Sequence, residues 1–290
     1  MRQKRTKPLW FKTEIPSSPN FFLLKKILKN LQLHTVCEEA KCPNIGNCWA
    51  KKTATFMILG NTCTRNCRFC AVRKGIPEPP NNDEPVLISE AVKLLGIKYA
   101  VITSVTRDDL SDGGASIFAR TVNIIRKVNP DVKIEVLIPD FNGNENALNE
   151  VFEVKPDILN HNLETVQELY PFINRPSLFY TRSLKILEKA RKHKLITKSG
   201  LMIGLGETKE QIIKSLKDLR NVGCDIITIG QYLQPTKAHV PVKKYYTEKE
   251  FEELKLIGKQ LGFKWVEAGP LVRSSFHATQ IYEKINLRRI

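Results

Sequence analysis

No apolar run in this chain approaches the roughly 20 residues that a membrane-crossing helix needs. The longest, Ala100–Thr103 and Leu201–Leu205, are the size of strands. The basic opening, Met1–Lys12, lacks the apolar core of a secretory signal, so the chain is expected to work in the cytoplasm. Acidic residues are also in short supply. Against 46 Lys and Arg stand 30 Asp and Glu, a formal charge of +16. That balance favours an acidic partner, although a lysine-rich genome composition gives the same surplus. The basic residues are scattered, and no nucleic-acid-binding module accompanies them. Neither nucleic acid nor a membrane is therefore expected as a partner. Internal repeats and low-complexity segments are absent as well.

What is present is enough chain, 290 residues, for one large α/β domain with a full core. Of its seven cysteines, six lie between Cys37 and Cys70. Without an export signal, such a group reads as metal or cluster ligands rather than disulfides. Cys224 stands apart, just ahead of an apolar strand, and reads as a small buried hydrophobe.

Residues 1–36 read as an arm, with a helix over Phe21–Leu31 started by Ser17–Asn20. Beyond the cysteines, short apolar runs alternate with amphipathic ones. Strands are expected at Thr55–Leu59, Tyr99–Thr103, Lys133–Leu137, Ile158–Asn160, Gly200–Ile203 and Ile226–Ile229. Helices are expected at Ser89–Leu95, Ala115–Val128, Glu145–Val154, Tyr180–His193, Lys209–Val222 and Glu248–Leu261. Repeated strand–helix units point to a parallel α/β sheet, whose function gathers at the C-terminal ends of the strands. Polar residues and glycines bunch there: Thr103-Ser104, Asn160-His161-Asn162, Gly204-Leu205-Gly206-Glu207 and the segment from Gln231 to Pro235. They read as one site.

Cys63, Cys67 and Cys70 form a C-x3-C-x2-C spacing just after the first strand. Three thiolates so close can each take a different iron of a cubane cluster, and with no fourth cysteine one iron stays open. A structural zinc site closes its shell with four ligands and fits this spacing poorly. Cys37, Cys42 and Cys48 offer a second triad with C-x4-C-x5-C spacing on a loop-like segment, where Pro43 and Gly46 permit tight wrapping.

The first triad in this setting resembles the radical S-adenosylmethionine superfamily. The two triads together, read through CEEAKCPNIGNCW and ATFMILGNTCTRNCRFCAV, resemble the lipoyl synthases. Further matching stretches are VTRDDLSDGG (105–114), NHNLETV (160–166), GLMIGLGET (200–208), IGQYLQP (229–235) and GPLVRSSFHA (269–278). One departure is visible: Phe276 stands where the family commonly has tyrosine after the two serines.

The resemblance implies an α/β fold, a partial (βα)6-type parallel barrel over 55–262. An N-terminal extension (1–54) and a C-terminal extension (263–290) would carry an auxiliary cluster site. It implies a sulfurtransferase that inserts two sulfur atoms at C6 and C8 of an octanoyl group on a lysine of an acidic lipoyl-carrier domain. The cofactors would be S-adenosylmethionine, two molecules of it consumed, and two 4Fe-4S clusters. Cys63, Cys67 and Cys70 would hold the radical-generating cluster; Cys37, Cys42, Cys48 and Ser275 of the Arg273-Ser274-Ser275 motif would hold the sulfur donor. S-Adenosylmethionine would meet Thr103, Ser104, Asn160, Asn162, Glu164, Gly204 and Gly206, with Arg175 or Lys198 near its carboxylate. Trp49 would shield a cluster, and His161 would line the site or be a satisfied core histidine. A flavodoxin or ferredoxin would donate electrons, cluster-carrier proteins would rebuild the donor, and a monomer suffices. Rival readings are a biotin-synthase-like or methylthiolating radical enzyme, which lacks this arrangement of second triad and Arg-Ser-Ser, or a non-enzymatic electron carrier, which needs no domain of this size.

Overall fold

The computed structural model describes residues 8–11 and 16–287; most of the basic opening falls outside the described residues. In chain order the strands are β1 (His34–Thr35), β2 (Thr55–Ile58), β3 (Thr62–Cys63), β4 (Arg73–Lys74), β5 (Tyr99–Ser104), β6 (Lys133–Leu137), β7 (Ile158–Asn160), β8 (Thr197–Ile203), β9 (Ile226–Gln231) and β10 (Trp265–Gly269). The helices are α1 (Pro19–Asn30), α2 (Val36–Glu39), α3 (Ile45–Ala50), α4 (Glu84–Leu95), α5 (Ala115–Val128), α6 (Glu145–Glu153), α7 (Leu178–Lys192), α8 (Lys209–Asn221), α9 (Glu248–Gln260) and α10 (Ala278–Leu287).

β2 and β5 to β10 pair in parallel in chain order, and β1 adds antiparallel to β2. Each of the six strands β2 and β5–β9 is followed by one of the helices α4–α9, as the (βα)6 expectation requires. The described series is open, with β1 and β10 at its edges. The reason is in the side chains: every position of β2 and of β9 is buried, as a strand covered on both faces demands. The helices bury one stripe each. In α8, Ile212, Leu216 and Leu219 face the sheet, and burying each such side chain contributes about 1.5–3 kcal/mol. Capping boxes at Thr208/Gln211 and Thr247/Glu250 start α8 and α9 where the pattern places them. Among the described residues no helix is long and apolar enough to cross a membrane.

Several boundaries differ from expectation. β8 begins at Thr197, three residues early, because Thr197, Lys198 and Ser199 are buried with internal partners. α4 begins at Glu84 rather than Ser89, and the buried Glu84 carboxylate accepts the Leu59 N–H at 2.7 Å. The second cysteine segment, expected as loop, carries two short helices: Cys37 lies in α2 and Cys48 in α3. β10 buries only alternate residues, so it shows no apolar run.

α10 places Ala278, Ile281 and Ile285, at helical spacing, against Tyr99, Val101, Ile158 and Ile226. Three of those are the first residues of their strands, so α10 covers the N-terminal ends and leaves the C-terminal ends for the site. Between the two ends lies a buried ion pair. Lys198 Nζ stands 3.0 Å from Glu135 Oε1, both side chains 0% exposed. Tyr99 Oη and Asn160 Nδ2 each donate to the same carboxylate at 2.8 Å.

Candidate active site

A cavity of about 520 Å3 opens at the C-terminal ends of the strands. Six of the seven cysteines line it, together with the Arg273-Ser274-Ser275 segment. The first triad sits on the loop after β2. β3 and β4 pair Cys63 with Lys74 and so tie the ends of that loop. Thr64 N–H donates to the Thr106 carbonyl (3.1 Å) and Arg68 N–H to that of Ile173 (2.9 Å). Val240 N–H donates to the Arg68 carbonyl (3.1 Å), and His239 Nε2 lies 3.0 Å from the Cys70 carbonyl. Three loops thus clamp one cysteine loop. The second triad comes from a separate segment: Thr35 caps α2 by accepting the Glu38 N–H, Cys42 N–H bonds the Cys37 carbonyl, and Cys48 N–H bonds that of Asn44.

Burial pushes these thiols up: Cys37 and Cys70 to about 12, Cys48 to about 11, with Cys42 and Cys67 raised in the same direction. Neighbouring cysteines add to the shift at Cys37, Cys48 and Cys70. Buried thiols of this kind become thiolates only beside a strong electropositive partner, which is what cluster iron provides. Among the described residues no three His, Cys, Asp or Glu side chains converge tightly enough for a single ion. A cubane, whose irons each take their own thiolate, spreads its ligands instead. Each triad supplies three thiols, one short of the four ligands that close a structural zinc site.

The polar residues sort themselves by partner. Ser104 Oγ is buried at the cavity with no hydrogen bond, and Arg175 Nε is likewise open. Glu164 lines the same wall 3.7 Å from Arg175 Nη1. Burial raises the Glu164 carboxyl, and Arg175 opposes the shift. Its backbone holds φ 72°, a left-handed conformation uncommon outside glycine, pinned by hydrogen bonds to Gly200 and Met202. Thr103 lines the cavity but its hydroxyl donates to the Leu137 carbonyl at 2.9 Å. Asn162 lines it and accepts from Ser274 Oγ at 2.8 Å. Ser275 lines it with its hydroxyl free among the described residues.

Other expected contacts lie elsewhere. Asn160 points beneath the cavity to Glu135, and Lys198 is consumed by the same carboxylate. Gly204 and Gly206 do not line the cavity; with Leu205 their N–H groups wrap the Glu207 carboxylate. A side chain at Gly204 would meet Gln231 Nε2 at 2.1 Å, so this glycine serves the turn. Trp49 is fully buried 5.1 Å from the Phe21 ring and does not line the cavity. His161 reaches the cavity wall with both ring nitrogens engaged, by Ile138 and Ser183, and burial lowers it to about 4. Cys224 is buried away from the site. Asn44 and His239, which hold the site's loops, carried no local signal in the sequence.

Residues 57–219 match the radical SAM superfamily, and residues 1–42 match the N-terminal domain of lipoyl synthase. The chain is 51% identical over 279 residues to the lipoyl synthase of Rubrobacter xylanophilus, covering 96% of this chain and 87% of that one. It is 53% identical over 274 residues to the lipoyl synthase of Caldanaerobacter subterraneus subsp. tengcongensis, covering 94% and 95%. Among solved structures, HydG, a maturase of the [FeFe]-hydrogenase, superposes with a TM-score of 0.56 at 13% identity, over 95% of this chain and 69% of that one. That likeness speaks for the fold alone.

Proposed function

The chain belongs to the lipoyl synthase family of radical S-adenosylmethionine enzymes, and from that premise we propose how its residues divide the labour of a sulfurtransferase. The substrate is an octanoyl group on a lysine of a lipoyl-carrier protein. When bound, one 4Fe-4S cluster with S-adenosylmethionine supplies a radical able to take hydrogen from unactivated C–H bonds, and a second cluster supplies the sulfur. Cys63, Cys67 and Cys70 hold the first; Cys37, Cys42, Cys48 and Ser275 hold the second. Arg175 and Glu164 receive the carboxylate and ammonium ends of the cofactor, and Ser104 offers its free hydroxyl. Apolar walls from Met57, Val72, Ile138 and Met202 keep water from the reacting carbons. On this reading 55–262 generates the radical, while 1–54 and 263–290 carry the sulfur donor. The observation behind it is that both triads and Ser275 face one cavity.

Anaerobic single turnover with an octanoylated carrier domain tests the division. Ser275→Ala should still cleave S-adenosylmethionine while losing sulfur insertion by at least about tenfold. Sulfur insertion at the wild-type rate would place the fourth ligand elsewhere.

The partners follow from the surface. Arg68 and Lys243, both exposed, flank the Phe172 ring at 5.9 Å each, and exposed Lys41 stands at the cavity mouth. This basic rim steers an acidic carrier domain. The kcat/KM for the domain should fall severalfold as added salt shortens the Debye length toward about 3 Å, while a short octanoyl-lysyl peptide is unaffected. Equal salt dependence for both would remove the steering role. Cys67 also lines an outer depression of about 210 Å3, a short approach for a flavodoxin or ferredoxin. A cytoplasmic monomer served by cluster-carrier proteins completes the reading.

A further inference from the structure

We propose that Asn44 and Ser274 are positioning residues that hold the C-terminal segment across the cavity, so that Ser275 is brought to the seat of the second cluster. The proposal rests on the two-cluster reading above. Three of that cluster's ligands lie within residues 37–48, but Ser275 lies on the irregular segment between β10 and α10. Ordering such a segment costs conformational entropy at every residue, so something must offset it.

Three separate elements do. Asn44, between Cys42 and Cys48, donates from Nδ2 to the Leu271 carbonyl at 2.7 Å, across 227 positions of sequence. Arg273 donates from Nη1 to the Gln231 carbonyl at the end of β9 (3.3 Å). Ser274 donates from Oγ to Asn162 Oδ1 beyond the end of β7 (2.8 Å). The floor is shaped to match. A side chain at Gly230 would meet the Val272 carbonyl oxygen at 2.1 Å, and one at Gly200 would meet Ser274 Oγ at 2.9 Å. With Ser274 engaged, Ser275 is the serine of the pair whose hydroxyl stays without a partner among the described residues, and it lines the same cavity as the cysteines. These contacts tie the C-terminal segment to the second triad's loop and to the ends of β7 and β9.

The test uses the full chain reconstituted with both clusters and follows iron released to an anaerobic chelator, with the clusters told apart by their spectra. Ser274→Ala and Asn44→Asp should each release second-cluster iron about three- to tenfold faster than wild type, the size of one lost hydrogen bond. Ser274→Thr, which keeps the hydroxyl, should stay near wild type. The first cluster should release at the wild-type rate throughout, and trypsin should cut the cluster-free variants faster after Arg273. Release and cleavage at wild-type rates in both variants would overturn the proposal, as would equal loosening of both clusters. A wild-type protein that binds a single cluster would instead bring down the two-cluster reading and the proposal with it.

Discussion

Replacing Cys37, Cys42 and Cys48 together by alanine should lower the iron bound after anaerobic reconstitution from about eight per chain to about four. S-Adenosylmethionine cleavage should persist, and no sulfur should be inserted. The two functions separate because the triads are held by different parts of the fold. Cys63, Cys67 and Cys70 are fixed through Thr106, Ile173, Val240 and His239, none of which hydrogen-bonds α2 or α3 among the described residues. The three substitutions remove only sulfur atoms from the cavity wall, so α2 keeps its Thr35 cap and both helices keep their backbone bonds. A wild-type count of about four irons, unaltered by the triple change, would remove the auxiliary cluster. Loss of cofactor cleavage alongside sulfur insertion would show that the two triads act as one site.

Lys198→Met should be the most destabilising single substitution in the barrel interior. The Glu135 carboxylate, 0% exposed, would remain buried without its cation. Breaking a buried pair from one side costs about 3–5 kcal/mol, which for a chain of this size lowers Tm by roughly 10 °C. Tyr99 and Asn160 would still donate to the carboxylate, but two neutral hydrogen bonds do not replace a cation. Adding Glu135→Leu should recover part of the loss and not all, since Tyr99 and Asn160 then lose their acceptor. Thermal unfolding of the single and double variants measures this directly. A single variant within about 1 kcal/mol of wild type would mean that water or a rearranged side chain neutralises Glu135.

The elements read most accurately from sequence were those buried on both faces or striped at helical spacing. α5, β6 and β7 begin and end where their patterns place them. Two of the misreadings share one cause: polar residues that look exposed in sequence are buried in the sheet interior with partners from neighbouring strands and loops. Thr197, Lys198 and Ser199 hid the start of β8 in this way. Asn160, a strand-end polar group by position, turned beneath the cavity to Glu135. Gly204 and Gly206 read as room for a ligand, yet their amides close on Glu207 from the same loop.

The family's chemistry was legible in the order of the residues. Cysteine spacing is a local property, set by how far a few residues of backbone can wrap around a cluster, and so both triads were visible without coordinates. Strand and helix periods are local too, which is why the succession of βα units could be read. Which polar groups stay free at the cavity, and which serine of Arg-Ser-Ser is taken up by Asn162, emerged with the folded chain. Those choices depend on contacts such as Asn44 to Leu271 and Ser274 to Asn162, between residues more than a hundred positions apart. No periodicity encodes such pairs; they exist only once the strands have brought three distant loops to one end of the sheet.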